Sequence, residues 1–144
     1  MTLAPHQHAR IDALEREMAV HPGRVSLQVR HDFLPGLYIR TLIIPKGTLL
    51  TGEEHKTRHA WTLIKGTIEV AGVGVLTAPA CGITEPGTRR VARVFEDAEW
   101  ATFHPTALTD PVKIREEIIN IRHHLDGLEP TEAKFKALAA GGTS

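Results

Sequence analysis

Gly47-Thr-Leu-Leu-Thr-Gly-Glu53-Glu-His55-Lys-Thr-Arg-His59-Ala-Trp61-Thr-Leu-Ile-Lys-Gly66 gathers two apolar runs, bounding glycines and three metal-capable side chains into one short stretch. Short apolar runs bounded by glycine fit strands rather than a helix. On one unbroken strand Glu53, His55 and His59 would share a face, with Glu53 and His59 about 20 Å apart at ~3.3 Å per residue. Imidazole and carboxylate ligands bind a metal at ~2.0–2.2 Å, so no ion bridges that gap. A common site therefore requires the chain to turn at Lys56-Thr57-Arg58 and bring His59 back on a neighbouring strand.

The same period extends to both sides. Val25, Leu27, Val29, His31 and Phe33 alternate with Ser26, Gln28, Arg30 and Asp32, which predicts a half-buried strand. Pro35-Gly36 turns into a second strand, Leu37 to Ile44. Further strands are expected over Thr48 to His55, His59 to Lys65, Thr67 to Val70, Val73 to Thr77, Thr88 to Phe95 and Glu99 to His104, with Glu96-Asp97 as a turn. Short strands punctuated by Gly and Pro indicate a sandwich or barrel, not a βαβ fold. Helices flank this β region, residues 24–104. Residues 5–20 place Ile11, Leu14 and Met18 at helical spacing behind Pro5, as a helix lying on another surface. Asp110 and Pro111 open a helix with an Ile114, Ile118, Ile121 and Leu125 stripe, closed by Gly127. A second, from Pro130, carries Phe135 and Leu138 and completes a helical region over 110–140.

The bulk numbers narrow the function classes. A chain of 144 residues, 42% apolar and 24% charged, reads as a single domain over residues 1–144. It can bury roughly 68–70% of its unfolded surface without disulfides or structural metal. The 17 basic residues balance 17 acidic ones, leaving no footprint for nucleic acid or an anionic membrane. No apolar run approaches the ~20 residues of a membrane span, and the first eight residues lack the regions of a signal peptide. Cys81 stands alone, which excludes an intrachain disulfide; it has no basic sequence neighbour and reads as a buried structural thiol. His123-His124 reads as part of a solvated helix face, His6 and His8 as mobile or interface residues, and His104 as structural. Trp61 and Trp100 read as core or interface anchors.

The spacing of the opening stretch resembles the first motif of the cupin superfamily: Gly, five residues, His, one, His, three or four, Glu, six, Gly. Here the frame is Gly47, five residues, Glu53, one, His55, three, His59, six, Gly66. Glycines and intervals fit while the ligand identities are permuted. The second cupin motif places a His three residues after a Pro-Gly turn, and here Pro86-Gly87-Thr88-Arg89 leads to Arg90. A guanidinium stays protonated and does not ligate a metal, so a fixed positive charge stands where the fourth ligand belongs, within reach of the pocket or of Glu53. The resemblance covers about residues 37 to 104. It implies a mainly β, cupin-like jelly roll, to which the periodicity above adds one N-terminal and two C-terminal helices.

Three readings of the ligand set are open: a divalent metal on Glu53, His55 and His59, a metal-free anion pocket around Arg90, or polar remnants in a scaffold. A second resemblance bears on them. Phe95-Glu-Asp-Ala-Glu-Trp100-Ala-Thr-Phe-His104-Pro-Thr, the Asp-Pro-capped helix after it, and His55-Lys-Thr-Arg-His59 with Lys65-Gly66 are similar to stand-alone cupin-like proteins of tailed bacteriophages. That resemblance implies a non-enzymatic capsid decoration or cement protein with no cofactor, a homodimer that binds the major capsid protein on the virion surface after assembly in the host cytoplasm. The alternatives are a metal-dependent enzyme of isomerase or dioxygenase type using Glu53, His55 and His59, and a sugar- or anion-binding module using Arg90.

Overall fold

A computed structural model describes residues 3–128 and 137–138. In chain order the elements are α1 (Pro5–Ala19), β1 (Gln28–Leu34), β2 (Leu37–Ile44), β3 (Leu49–Thr51), β4 (His59–Val70), β5 (Gly74–Thr77), β6 (Ala80–Thr84), β7 (Val91–Pro105), α2 (Pro111–Ile118) and β8 (Ala137–Leu138). The fold is a mainly β jelly roll; among the described residues eight strands join one curled antiparallel sheet. Strand β7 is its hub. One side of it pairs with β4, from Ala60 opposite Phe103 to Val70 opposite Ala92. Its other side pairs with β2 over Ala98–Pro105 and with β3 over Val91–Arg93. A strand bound to different partners at its two ends must bend, and that bend curls the sheet around an interior.

Two expected breaks are not breaks. Gly66 sits inside a continuous β4, where the register against β7 shifts between Leu63 and Ile68. Its φ of +96° is costly for other residues, and an added Cβ would lie 2.5 Å from the Asp97 carbonyl. It is therefore the glycine of a β-bulge that re-aims the strand without ending it. Glu96-Asp97 likewise stays within β7, and the Asp97 carboxylate accepts a 2.8 Å hydrogen bond from the Lys46 amide. Gly47, the other frame glycine, turns at φ +84° and donates its amide to Val94 O at 2.6 Å.

Inward-facing Leu42, Ile44, Leu63, Ile68, Val70 and Val94 build the main core, each fully buried aliphatic contributing about 1.5–3 kcal/mol. Trp61 stacks on Trp100 at 4.5 Å between centroids, as core anchors. Strand β1 departs from its predicted pattern. Leu27 is buried just before it and Val29 is half-buried, but His31 and Phe33 are exposed. As an edge strand that among the described residues pairs with β2 alone, β1 runs past the core.

The helices differ more. In α1 the buried face carries Asp12, Glu15, Met18 and Ala19, while Ile11 and Leu14 are only half-buried. The carboxylates turn inward because Arg89 reaches both of them. Helix α2 starts as expected, with Asp110 accepting from the Val112 amide at 3.0 Å, but it stops at Ile118. Beyond it the Ile118 carbonyl accepts from the Lys56 amide at 2.7 Å and the Asn120 amide donates to Glu54 O at 2.9 Å. Pairing with residues 54–56 thus replaces continued helix, and His55 faces Ile119 in an isolated bridge. The helix expected from Pro130 lies mostly outside the described residues. Leu138, placed in it, instead pairs as a strand with Leu49. Cys81 is exposed, because β6 turns alternate residues outward.

Candidate metal centre

The opening stretch does turn where a shared site requires it. Residues 52–58 leave β3 as a loop, and His59 begins β4. The loop is held from three sides: Gly52 donates to Arg90 O at 2.8 Å, Gly87 donates to His55 O at 2.9 Å, and the α2 end pairs with residues 54–56. Strand β7 brings the third member. Ala60 lies opposite Phe103 and Tyr38 opposite His104, so His104 arrives beside His59. The ring centroids lie at 4.3 Å (His55–His59), 4.7 Å (His59–His104) and 5.4 Å (His55–His104). One nitrogen from each ring lies within 4.8 Å of the others.

Hydrogen bonds select the tautomers. His55 Nδ1 sits 3.1 Å from Glu53 O and His59 Nδ1 3.3 Å from Thr57 O. A carbonyl only accepts, so each Nδ1 carries the proton and each Nε2 keeps its lone pair. His104 Nε2 meets Thr102 Oγ1 at 2.8 Å, while its buried Nδ1 has no partner among the described residues. Burial, with His59 next, holds His55 down to about 4. Burial, then His59, His55 and Arg40, hold His104 down to about 3. Burial also lowers His59, against the Thr57 hydrogen bond and aided by Arg90. All three are neutral near pH 7, the state in which imidazole ligates a metal. The orphaned nitrogen and the backbone-fixed rings fit a divalent ion, which His55, His59 and His104 would hold.

Of the predicted ligands, the structure brings His55 and His59 together and places Glu53 elsewhere. The Glu53 carboxylate receives Arg115 Nε at 3.0 Å and Arg115 Nη2 at 2.5 Å, tying the ligand loop to α2. Arg90 does not pair with Glu53; its Nη2 donates to Thr84 Oγ1 at 2.9 Å, with the guanidinium 6.0 Å above the Trp61 ring. His104, structural by its sequence context, is the third member of the cluster. Nothing local marks it otherwise, because its partners lie 45 and 49 residues upstream.

A second titratable cluster secures α1. Arg89, almost fully buried, donates to Asp12 Oδ1 at 2.8 Å and Glu15 Oε1 at 2.9 Å. Arg122 clasps Asp12 from the other side. His124 donates to Glu15 Oε1 at 2.5 Å, so it belongs to this network and not to a solvated face; His123 is the exposed one. His8 is also drawn in, beside Arg89 and Glu54. Burial raises the Asp12 carboxyl, but hydrogen bonds from Arg122 and Arg89 outweigh it and hold the group at about 2. With two guanidiniums already on these carboxylates, the cluster is a structural clasp.

The histidines line a cavity of about 950 Å³ that reaches from the barrel interior to α2 and the segment after it. No family model matches the sequence, and no curated protein matches it. Solved structures similar to the chain include KdgF from Halomonas sp., at 19% identity over 60% of this chain and 83% of that one, with a TM-score of 0.47. An RmlC-like cupin from Shewanella frigidimarina is 22% identical over 60% of this chain and 80% of that one, with a TM-score of 0.47. An acetylacetone dioxygenase from Acinetobacter johnsonii is 17% identical, with a TM-score of 0.44; the match covers 55% of this chain and 58% of the dioxygenase. At these identities and TM-scores the likeness is one of fold alone, and the strand order and register above stand independently of it. Among the described residues, no helix is long and apolar enough to cross a membrane.

Proposed function

We propose that the chain is a metal-dependent cupin-type protein that binds and converts a small molecule in the barrel, with His55, His59 and His104 as the metal ligands. The observation that carries this reading is the convergence of three neutral imidazoles, two buried and His55 half-buried, on one point of a large cavity. A bound divalent ion would supply Lewis-acid polarisation of a substrate oxygen. The chain's own contribution is positional. The Glu53 and Thr57 carbonyls fix two ring tautomers, Thr102 fixes the third ring, and the Arg115–Glu53 pair holds the ligand loop against α2. Titration of metal-free protein with Co²⁺, followed by visible absorption, tests this. One equivalent should bind to the wild type and none to the folded His55→Ala/His59→Ala double variant; a wild type that takes up no cobalt ends the reading.

A second reading, capsid decoration, is supported by the sequence run at 95–106 and by apolar side chains left on the outer surface. Ile64, Val75 and Ile83 are each about half exposed or more, and they offer contact area for a second copy of the chain or a capsid lattice. On that reading purified virions contain the protein at a fixed ratio to the major capsid protein. Virions lacking it would exclude the role.

A further inference from the structure

Two guanidiniums line the cavity on either side of the histidines. In the β2–β7 ladder Arg40 lies opposite Thr102 and Tyr38 opposite His104, so Arg40 is one same-face step from His104. In the β4–β6 ladder Thr84 lies opposite His59, and Thr84 is the residue to which Arg90 donates. Arg90 therefore reaches the cluster from the His59 side.

Arg90 differs from Arg89, Arg115 and Arg122 in what surrounds it. Glu53 is held by Arg115, Glu15 by Arg89, and Glu54 has Arg122 at 3.8 Å. Arg90 donates to a neutral hydroxyl, and no described carboxylate pairs with it. It is half-buried, and a guanidinium remains charged there with most of its five donors unused. A partly desolvated cation without a counter-ion is unfavourable unless something supplies the negative charge. The three neutral imidazoles supply none, and a divalent ion among them would deepen the positive field. A planar carboxylate matches the guanidinium fork.

The cavity wall changes character away from this end. Along the inward face of β2 the order is Tyr38, Arg40, Leu42, Ile44, and Ile68, Val70 and Val94 continue the apolar part. We propose that the cavity takes a small organic acid, its carboxylate held by Arg90 beside the histidines and its apolar body lying against Leu42, Ile44 and Ile68. This deepens the metal reading above, on which it rests for the role of the histidines but not for that of the arginine.

Equilibrium dialysis with benzoylformate, on metal-free and Co²⁺-loaded full-length protein, tests it. Methyl benzoylformate has the same apolar body without the charge and serves as the control. The acid should bind more tightly than the ester. Arg90→Gln should weaken the acid by roughly 10- to 100-fold while leaving the ester and the cobalt stoichiometry unchanged. Arg90→Lys, which keeps the charge and the fold but loses the fork, should fall between. Acid binding no tighter than ester, or unchanged in folded Arg90 variants, overturns the proposal. Cobalt uptake without acid binding removes this inference and leaves the metal centre. Arg90-dependent acid binding without cobalt uptake does the reverse.

Discussion

Replacing Arg89 by Met should destabilise the protein more than any other surface-remote charge change. The side chain is 1% exposed and faces Asp12 and Glu15, themselves 9% and 2% exposed. Each charge-assisted hydrogen bond is worth about 1.5–3 kcal/mol, and removing one partner of a buried pair typically costs about 3–5 kcal/mol because the other charge is left stranded. Asp12 keeps Arg122. Glu15 is left with the Thr51 hydroxyl and His124, so most of the loss falls on it. Urea unfolding at pH 7, read from Trp61 and Trp100 fluorescence, should show a midpoint lower by about 2 M for an m-value of about 2 kcal/mol/M. Limited proteolysis should cut first within Pro5–Ala19, the element that Arg89 holds. Adding Glu15→Leu should restore part of the loss, since an apolar replacement removes the stranded charge. A midpoint within about 0.3 M of wild type, or no rescue by the second substitution, would refute the clasp.

Gly82→Ala should cost about 1–3 kcal/mol, because its Cβ would lie 2.7 Å from the Trp61 ring; the same unfolding assay reads it, and a neutral result would mean that the Trp61–Trp100 stack is mobile. Metal-free protein should lose stability as pH falls from about 6.5 to 4: the unfolded histidines take up protons there, while His55 and His104 resist until about 4 and 3. The slope should approach about 1.4 kcal/mol per pH unit for each group, and a flat midpoint across that range would contradict the neutral triad. Asp12 acts at lower pH. Its folded value near 2 against a usual 3.8 stabilises by about 2 kcal/mol above pH 4, lost as pH falls towards 2, and Asp12→Asn should flatten that last part of the acid titration.

The β domain was legible because its signals are local. Alternating residues, Pro-Gly turns and the Gly47–Gly66 frame depend on near neighbours, and the two frame glycines do take positive φ. Even so, the sequence does not distinguish a break at Gly66 from the bulge found there, because a turn and a bulge both need a glycine and differ only in the partner strand. The helices were less legible. The stripe through Ile121 and Leu125 is helical in period, but pairing between Asn120 and Glu54 captures the chain first. In α1 the face was set by Arg89, which lies 77 residues from Asp12, beyond any window of periodicity. The site divides the same way. His55 and His59 share a stretch with a readable turn, whereas His104 joins them through the β4–β7 register, which single-sequence spacing does not encode. Glu53 satisfied the spacing and was taken by Arg115 from α2.

On the proposed metal reading, the third ligand is His104 and not Glu53. Metal content after loading with Zn²⁺ and extensive dialysis, compared across wild type, Glu53→Gln and His104→Ala, tests it in one series. One zinc per chain is expected in wild type and Glu53→Gln, and loss in folded His104→Ala. Zinc retained by His104→Ala but lost from Glu53→Gln would contradict it.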